Sequence, residues 1–337
     1  METKNTTLST IAELAGVSKS TVSRVLSDHP RISQKTKDKI YEIIKELGYH
    51  PNEVARSLAN KSTKTIGIVM PIQNAEAFYA GSFFQESLRG ICTVASDNGY
   101  DILISTNKVS EVDAIGRYVN GKKVDGMILM RSKVKDEGIE YLLKSQFPFV
   151  LIGSYENETD IYSVDNDNFQ ASKDLTSYLI AGGKRRIGFI GGTTKSVVTV
   201  NRLNGYMKAL EEHQLPINEQ FILTDNLYTE SSICLKSMFA SQDKPDALIV
   251  LDDQVGGYVI EQLSSMGIQV PRDVKIAGFN NSSYFVNASL CISSIEIHAE
   301  EIGSKACQML IDVMNNKQVS HKVIVDHQLV KRDFPQP

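Results

Sequence analysis

The 337-residue chain reads as an all-α helix-turn-helix headpiece followed by an α/β body of two doubly wound parallel-sheet lobes. Three observations predict this. The first fifty residues place apolar side chains at helical spacing. From Thr65 onward, short apolar strand runs alternate with amphipathic helical stretches, the pattern of a buried parallel sheet. That alternation restarts after Asp165, so the body holds two such series.

In the headpiece, Ile11, Ala12, Ala15, Val17, Val22, Val25 and Leu26 supply a small core. Gly16 falls where a first helix must stop and the chain must bend, which suits a residue tolerant of left-handed angles. Ser18 is placed to cap a second helix through its hydroxyl. In a helix-turn-helix this second helix enters the DNA major groove. Ser33 can cap a third helix carrying Ile40, Ile43, Ile44 and Leu47, which Gly48 ends. Residues 52–59 span about two helical turns, too few to be stable alone, so this segment is expected to order only against a partner. A polar linker, 61–64, follows.

In the body, strand runs are expected at 65–71, 101–105, 126–130 and 149–153, and again at 186–192, 247–253 and 275–281. A helix over 83–98 ends near Gly99. Two similar lobes in one chain imply a ligand cleft at the carboxyl ends of their strands.

Composition narrows the function. Residues 1–65 hold eleven Lys/Arg against seven Asp/Glu, while the remainder holds 25 against 33. A basic head on an acidic body points to one domain that faces phosphates. No run of eighteen apolar residues exists, and the N-terminus has no apolar leader core, so a cytoplasmic protein without a membrane partner is expected. Cys92, Cys234, Cys291 and Cys307 form no paired motif and read as small buried apolar residues in a reducing compartment. The stretch 188–196 resembles a phosphate loop, but Thr193 stands where the second glycine is needed. Asp252 and Asp253 fit a strand-end ligand position better than a metal pair. No paired carboxylates or nucleophile stand out; no enzyme, metal or cofactor is expected.

The motifs V-S-x-x-T-V-S-R-V-L (17–26), G-Y-x-P-N (48–52) and V-A-R-S-L-A (54–59) are similar to the lactose repressor family of bacterial transcription factors. The resemblance extends through the body, whose layout is that of periplasmic sugar-binding proteins. It implies a homodimer on a pseudo-palindromic double-stranded operator. The headpieces would sit in adjacent major grooves, and two hinge helices would pair in the minor groove between them. Base-reading positions fall on Lys19, Ser20 and Arg24, and the Arg24 fork suits guanine. Phosphate contacts fall on Thr7, Ser18, Thr21, Ser23 and Arg31. In the hinge, Asn52, Ala55 and Leu58 match the DNA-facing positions, Leu58 as the apolar wedge.

The family's chain crosses three times between lobes, here expected near 160–164, 290–294 and 318–322. The implied domains are headpiece 1–50, hinge and linker 51–64, first lobe 65–162 plus 293–320, and second lobe 163–292 plus 321–337. Arg202, in the pattern R-x-x-G, carries over as an effector-binding arginine. Asp252 and Asn280 join it, with Phe78, Phe83, Tyr155 and Phe279 as stacking surfaces; Phe84 and Tyr284 are further rim candidates. The family's G-[FY]-D-D is here Gly278-Phe279-Asn280-Asn281, amides in place of carboxylates. In that feature the chain resembles the family's maltose or maltodextrin repressors. The expected function is repression of a sugar-utilisation operon, controlled by a small sugar in the cleft. The alternatives are a carbon-catabolite regulator with a phosphorylated carrier protein as corepressor, and a sugar receptor that does not bind DNA.

Overall fold

The computed structural model describes residues 7–26, 29–49, 62–69, 82–105, 110–155, 160–225, 231–240, 242–282 and 292–332. Asn52, Ala55, Leu58, Phe78, Tyr284 and Cys291 lie outside them. The chain divides into two compact units, 1–62 and 63–337.

The first unit is three helices, α1 (Leu8–Ala15), α2 (Lys19–Leu26) and α3 (Gln34–Glu46). Thr7 caps α1, its hydroxyl accepting from the Thr10 N–H. Gly16 closes α1 at φ +67°, its N–H reaching the Ala12 and Glu13 carbonyls. This is the left-handed stop that glycine makes easy. Ser18 accepts from the Thr21 N–H at the start of α2, and Ser33 from the Thr36 N–H at the start of α3. Ile11, Ala12, Ala15, Val22, Val25 and Ile40 are buried together. α3 ties the first two helices down: Lys39 Nζ donates to the Ala15 carbonyl at 2.9 Å and the Tyr41 hydroxyl to the Val25 carbonyl at 3.1 Å. The lysine bond satisfies a carbonyl that α1 leaves open at its end.

The body begins with β1 (Thr65–Val69), α4 (Ser82–Asp97), β2 (Asp101–Ser105), α5 (Glu111–Asn120), β3 (Gly126–Leu129), α6 (Glu137–Ser145), β4 (Phe149–Ile152) and β5 (Ser163–Asn166). It continues with α7 (Asn168–Ala181), β6 (Ile187–Ile190), α8 (Val197–Glu212), β7 (Ile222–Leu223), α9 (Ser231–Ala240), β8 (Ala247–Val250), α10 (Asp253–Ser265) and β9 (Lys275–Phe279). It ends with β10 (Ser293–Glu296), α11 (Ala299–Met314), β11 (Lys322–Val325) and β12 (Gln328–Val330). One sheet has the order β11-β5-β4-β3-β1-β2 and the other β12-β10-β9-β8-β6-β7. All pairings are parallel except β10 with β12.

Each sheet is covered on both faces. Ile91 and Ala95 of α4 and Ile302, Ala306 and Leu310 of α11 pack on one face of the first sheet. Ile115 of α5 and Ile139 and Leu142 of α6 pack on the other. In the second sheet the same division separates α7 and α8 from α9 and α10. Strands such as β3, β4, β6 and β8 are buried throughout, hence their unbroken apolar runs.

Strand pairing moves the three crossings beyond the expected positions. β5 pairs with β4 and β11, so Ser163 to Asn166 belong to the first sheet and the chain leaves it after Asn166, not at 160–164. β10 pairs with β9, so the second crossing follows Glu296 rather than 290–294. β11 lies in the first sheet and β12 in the second, which puts the third crossing between Val325 and Gln328, not at 318–322. The segment from Lys322 therefore serves both lobes. In all three cases the strand is completed against its hydrogen-bonded neighbour before the chain departs.

Candidate functional site

The headpiece offers a polar face on α2. Lys19, Ser20, Ser23 and Arg24 are exposed, while Val22 and Val25 on the opposite side are buried. At 100° per residue, positions 19, 20, 23 and 24 share one side of the helix. Ser18, Ser20 and Thr21 form a hydroxyl cluster at the start of α2, with Ser18 Oγ 2.8 Å from Ser20 Oγ and 2.9 Å from Thr21 Oγ1. Thr21 is half-buried; Thr7 and Arg31 are exposed. The start of a helix with hydroxyls and a lysine around it suits a phosphate.

In the body, buried polar groups converge where β5, β8 and β9 end. Arg202 of α8 is 4% exposed. Its Nε donates to Asn168 Oδ1 at 2.9 Å and its Nη1 to the Leu251 carbonyl at 2.6 Å. Its guanidinium carbon lies 3.9 Å from the centre of the Phe279 ring, a cation–π contact. Asn168 passes the connection on, donating to Asp165 Oδ1 at 3.3 Å. Asp165 also accepts from the Asn166 N–H at 2.8 Å and from the Ser154 hydroxyl. Asp165 ends a strand of the first sheet and Arg202 stands on a helix of the second, so Asn168 links the lobes. The Asn166 side-chain nitrogen is buried without a hydrogen-bond partner among the described residues. A buried donor left open is costly, and a ligand acceptor would satisfy it.

R-x-x-G has a local explanation. Arg202 enters the site, and Gly205 faces α7 with space for no side chain: a Cβ there would lie 2.1 Å from the Phe169 carbonyl oxygen. The close approach of α7 and α8 brings Asn168 within reach of Arg202.

Burial shifts the charges. It pushes the Asp165 carboxyl up to about 6, against the pull of Ser154 and the Asn166 N–H. It pushes Asp253 up to about 7, although the Ser294 hydroxyl at 2.6 Å and the Ser282 N–H at 2.7 Å favour the charged form. Arg202 is lowered by burial to about 10, with Asp252, Asp165 and Asp253 opposing, and stays cationic at neutral pH. Between about pH 4 and 7 the folded state thus holds protons that the unfolded chain has released. Stability falls as pH rises through that window. For Asp253 the limit is about 1.4 kcal/mol per pH unit. Thermal denaturation from pH 5 to 8 is expected to lower the wild-type Tm relative to that of Asp253→Asn; curves that stay parallel contradict this.

Of the expected effector residues, Phe279 stands in the core and not on a cleft rim, and the others take the following places. Phe279 is fully buried in the second-lobe core, and its ring supports Arg202 instead of stacking on a sugar. Asp252 caps α10, its Oδ1 accepting from the Val255 N–H at 2.8 Å. The buried carboxylate of the pair is Asp253. Asn280 has φ +86° and is 8% exposed, its N–H donating to the Ile295 carbonyl. Asn281 takes φ +45°, donates to Glu296 and accepts from Arg332. Asparagine tolerates such angles, so the amides at 280 and 281 serve the turn as well as its hydrogen bonds. Phe83 is half-buried, edge-on to Phe84 with ring centres 5.4 Å apart, and touches the cores of both lobes. Tyr155 packs half-buried against the α5–α6 side of the first sheet.

Asp165, Asn166, Asn168 and Ser154 were not among the expected site residues. Their signal is the polar run V-D-N-D-N (164–168) at a strand end where the chain changes lobes. Cys92 is exposed on α4, contrary to the expectation of a buried residue; Cys234 is half-buried and Cys307 buried, all three as free thiols. Among the described residues no cluster of His, Cys, Asp or Glu could hold a metal ion, and no helix is long and apolar enough to cross a membrane.

Residues 7–52 match the model of bacterial regulatory proteins of the lacI family, and residues 176–333 match a periplasmic binding protein-like domain. The HTH-type transcriptional regulator MalR of Streptococcus pneumoniae is 35% identical over 97% of this chain and 99% of its own. The chain belongs to the lacI family. Catabolite control protein A of Priestia megaterium is 33% identical over 95% of this chain and 96% of its own. A solved complex of the regulator CelR with cellobiose superposes with a TM-score of 0.74 at 27% identity, covering 97% of this chain and 99% of that one. As a lacI-family member the protein is a DNA-binding transcriptional regulator and not an enzyme. The helix-turn-helix headpiece and two-lobed parallel α/β body are the architecture that family membership requires.

Proposed function

We propose that this regulator is a homodimeric repressor of a sugar-utilisation operon, with maltose or a short maltodextrin as its effector. The observation that carries the ligand site is the linked set Asp165–Asn168–Arg202, which joins the lobes where their strands end and leaves the Asn166 side-chain nitrogen without a partner among the described residues. Donors and acceptors alternate there, as a polyhydroxyl ligand needs. Similarity to MalR over nearly the whole chain, and to a solved probable maltose operon transcriptional repressor of Staphylococcus at 25% identity and a TM-score of 0.73, supports a maltose-type ligand. The CelR–cellobiose complex supports a glucose-based disaccharide in this fold.

On the DNA side, each headpiece places α2 in a major groove, with Lys19, Ser20 and Arg24 toward bases and Thr7, Ser18, Thr21, Ser23 and Arg31 toward phosphates. A pseudo-palindromic operator follows from the two-fold dimer. Asn52, Ala55 and Leu58 contact the minor groove between the half-sites. Ligand in the cleft changes the separation of the two hinge starts and so whether the hinge segments pair.

Duplexes selected from a random pool by the wild-type protein test the DNA assignments. Arg24→Ala is expected to weaken binding to the selected duplex by about 1–3 kcal/mol and to relax preference at one base pair of each half-site. Binding that weakens equally on every sequence would make Arg24 a phosphate contact instead.

A second reading has a specific relative behind it. Similarity to catabolite control protein A favours the carbon-catabolite alternative, for which we propose a phosphorylated carrier protein as corepressor. That reading requires operator affinity to respond to the carrier and not to sugar.

A further inference from the structure

The body's first residues are held by one carboxylate. Asp125 Oδ1 accepts from the Thr63 N–H at 2.7 Å and from the Thr63 hydroxyl at 2.9 Å. Asp125 Oδ2 accepts from the Lys64 N–H at 2.9 Å. The Asp125 N–H returns a bond to the Thr65 carbonyl at 2.8 Å. Lys64 takes φ +52°, an uncommon conformation for a lysine, and its ammonium lies 4.4 Å from the centre of the Tyr100 ring. Such a backbone persists only where its surroundings fix it. Thr63 and Lys64 directly follow the segment to which the proposed function assigns the minor-groove contacts.

Asp125 immediately precedes β3, an interior strand buried along its whole length. The chain beyond β3 is gripped by the other lobe. Lys133 forms an antiparallel bridge with Ser196. The Val134 N–H donates to the Lys195 carbonyl at 3.0 Å, and the Val197 N–H to the Ser132 carbonyl at 3.3 Å. Arg131 is braced by Asp136 and Glu111, and Glu111 also pairs with Lys133. Ser196 and Val197 open α8, the helix that carries Arg202. One run, 125–134, therefore fastens the root of the linker at one end and the start of the Arg202 helix at the other. A strand paired on both sides moves as a unit and transmits displacement with little loss.

We propose that residues 125–134 are the element coupling the ligand cleft to operator binding, with Asp125 the positioning residue that fixes Thr63 and Lys64 relative to β3. The assignment rests on the reading that a cleft ligand controls DNA affinity. What Asp125 does for operator binding through Thr63 and Lys64 is tested with DNA alone.

Full-length wild type, Asp125→Ala, Asp125→Asn and, as a control, Tyr206→Phe are compared on a duplex selected by the wild type and on a random duplex. The control loses the buried bond from the Tyr206 hydroxyl to the Ile187 carbonyl in the second lobe, a stability loss remote from the linker. Asp125→Ala is expected to lose threefold or more in affinity for the selected duplex and to keep its random-duplex affinity, because the headpiece is intact. Asp125→Asn, which keeps an acceptor for Thr63, is expected to fall between wild type and Asp125→Ala. Tyr206→Phe is expected to bind as wild type. A smaller loss in Asp125→Ala, an equal loss on both duplexes, or the same selective loss in Tyr206→Phe overturns the proposal. Maltose titrated into wild type tests the sugar reading separately: no response to maltose counts against that reading and leaves the selected-duplex comparison to decide this one.

Discussion

Arg202→Ala is expected to cost about 3–5 kcal/mol of stability and to abolish any response of DNA binding to sugar. The side chain is buried and bonded to Asn168 and to the Leu251 carbonyl, with the Phe279 ring beneath its guanidinium. Truncation leaves the Leu251 carbonyl and Asn168 Oδ1 without their donor and takes a cation from the neighbourhood of Asp165, Asp252 and Asp253. Asp165 and Asp253 already sit well above the usual carboxylate range, so they would answer by taking up protons. Part of the cost is therefore recovered at low pH: the Tm deficit of Arg202→Ala should be smaller at pH 5 than at pH 8. Arg202→Lys should restore little, since one ammonium cannot donate in two fixed directions and lie flat on a ring. Thermal denaturation at the two pH values measures the first effect. A sugar titration of the DNA complex measures the second, and a variant that still responds would remove Arg202 from the ligand site.

Gly303→Val is expected to approach the upper range of overpacking losses, about 3 kcal/mol or more, and to act on the first lobe. In α11 a Cβ at position 303 would lie 2.0 Å from the Ser87 carbonyl oxygen of α4. Gly90 of α4 meets the Glu300 carbonyl oxygen at 2.1 Å in the same way. Two reciprocal glycines let the helices touch backbone to backbone, and neither obstacle is a flexible side-chain tip that could swing aside. Relief requires the helices to separate, which would open the Ile91–Ile302–Leu310 core beneath them. Differential scanning calorimetry should show the loss, and Gly99→Val in the turn after α4 gives a comparison. Nothing lies within 4 Å of a Cβ at Gly99, so any loss there comes from its φ of +68° and not from packing.

Local chemistry makes the headpiece legible in the sequence. Gly16, Ser18 and Ser33 occupy the stop and cap positions that their side chains suit, and the spacing of Ile11, Ala15, Val22 and Val25 gave the core. The parallel lobes were legible from apolar runs such as 126–129 and 247–250, because strands buried on both faces need no alternation. The crossings are less so, since strand pairing and no local residue signal decides how far β5, β10 and β11 run before the chain departs.

In the proposed ligand site, the motif singles out Arg202, which the structure places in the buried polar cluster, whereas the motif does not say which of Asp252 and Asp253 is buried. A residue at a strand end that begins a helix can cap it or point inward, and packing decides which. Phe279 misled for a related reason: an aromatic at a strand end suits a sugar face and an arginine face alike. Asp165, Asn166 and Asn168 needed the lobes to be assembled before their proximity to Arg202 existed at all.

The most direct measurement is a titration of the protein–DNA complex, on a duplex selected by the wild-type protein, with maltose and a short maltodextrin. Wild type and Arg202→Ala are run side by side, with affinity read by fluorescence anisotropy at fixed salt. The account predicts that at least one of the two sugars at millimolar concentration changes wild-type affinity tenfold or more and leaves Arg202→Ala unmoved. An affinity indifferent to both sugars, or an equal response in the variant, would contradict it.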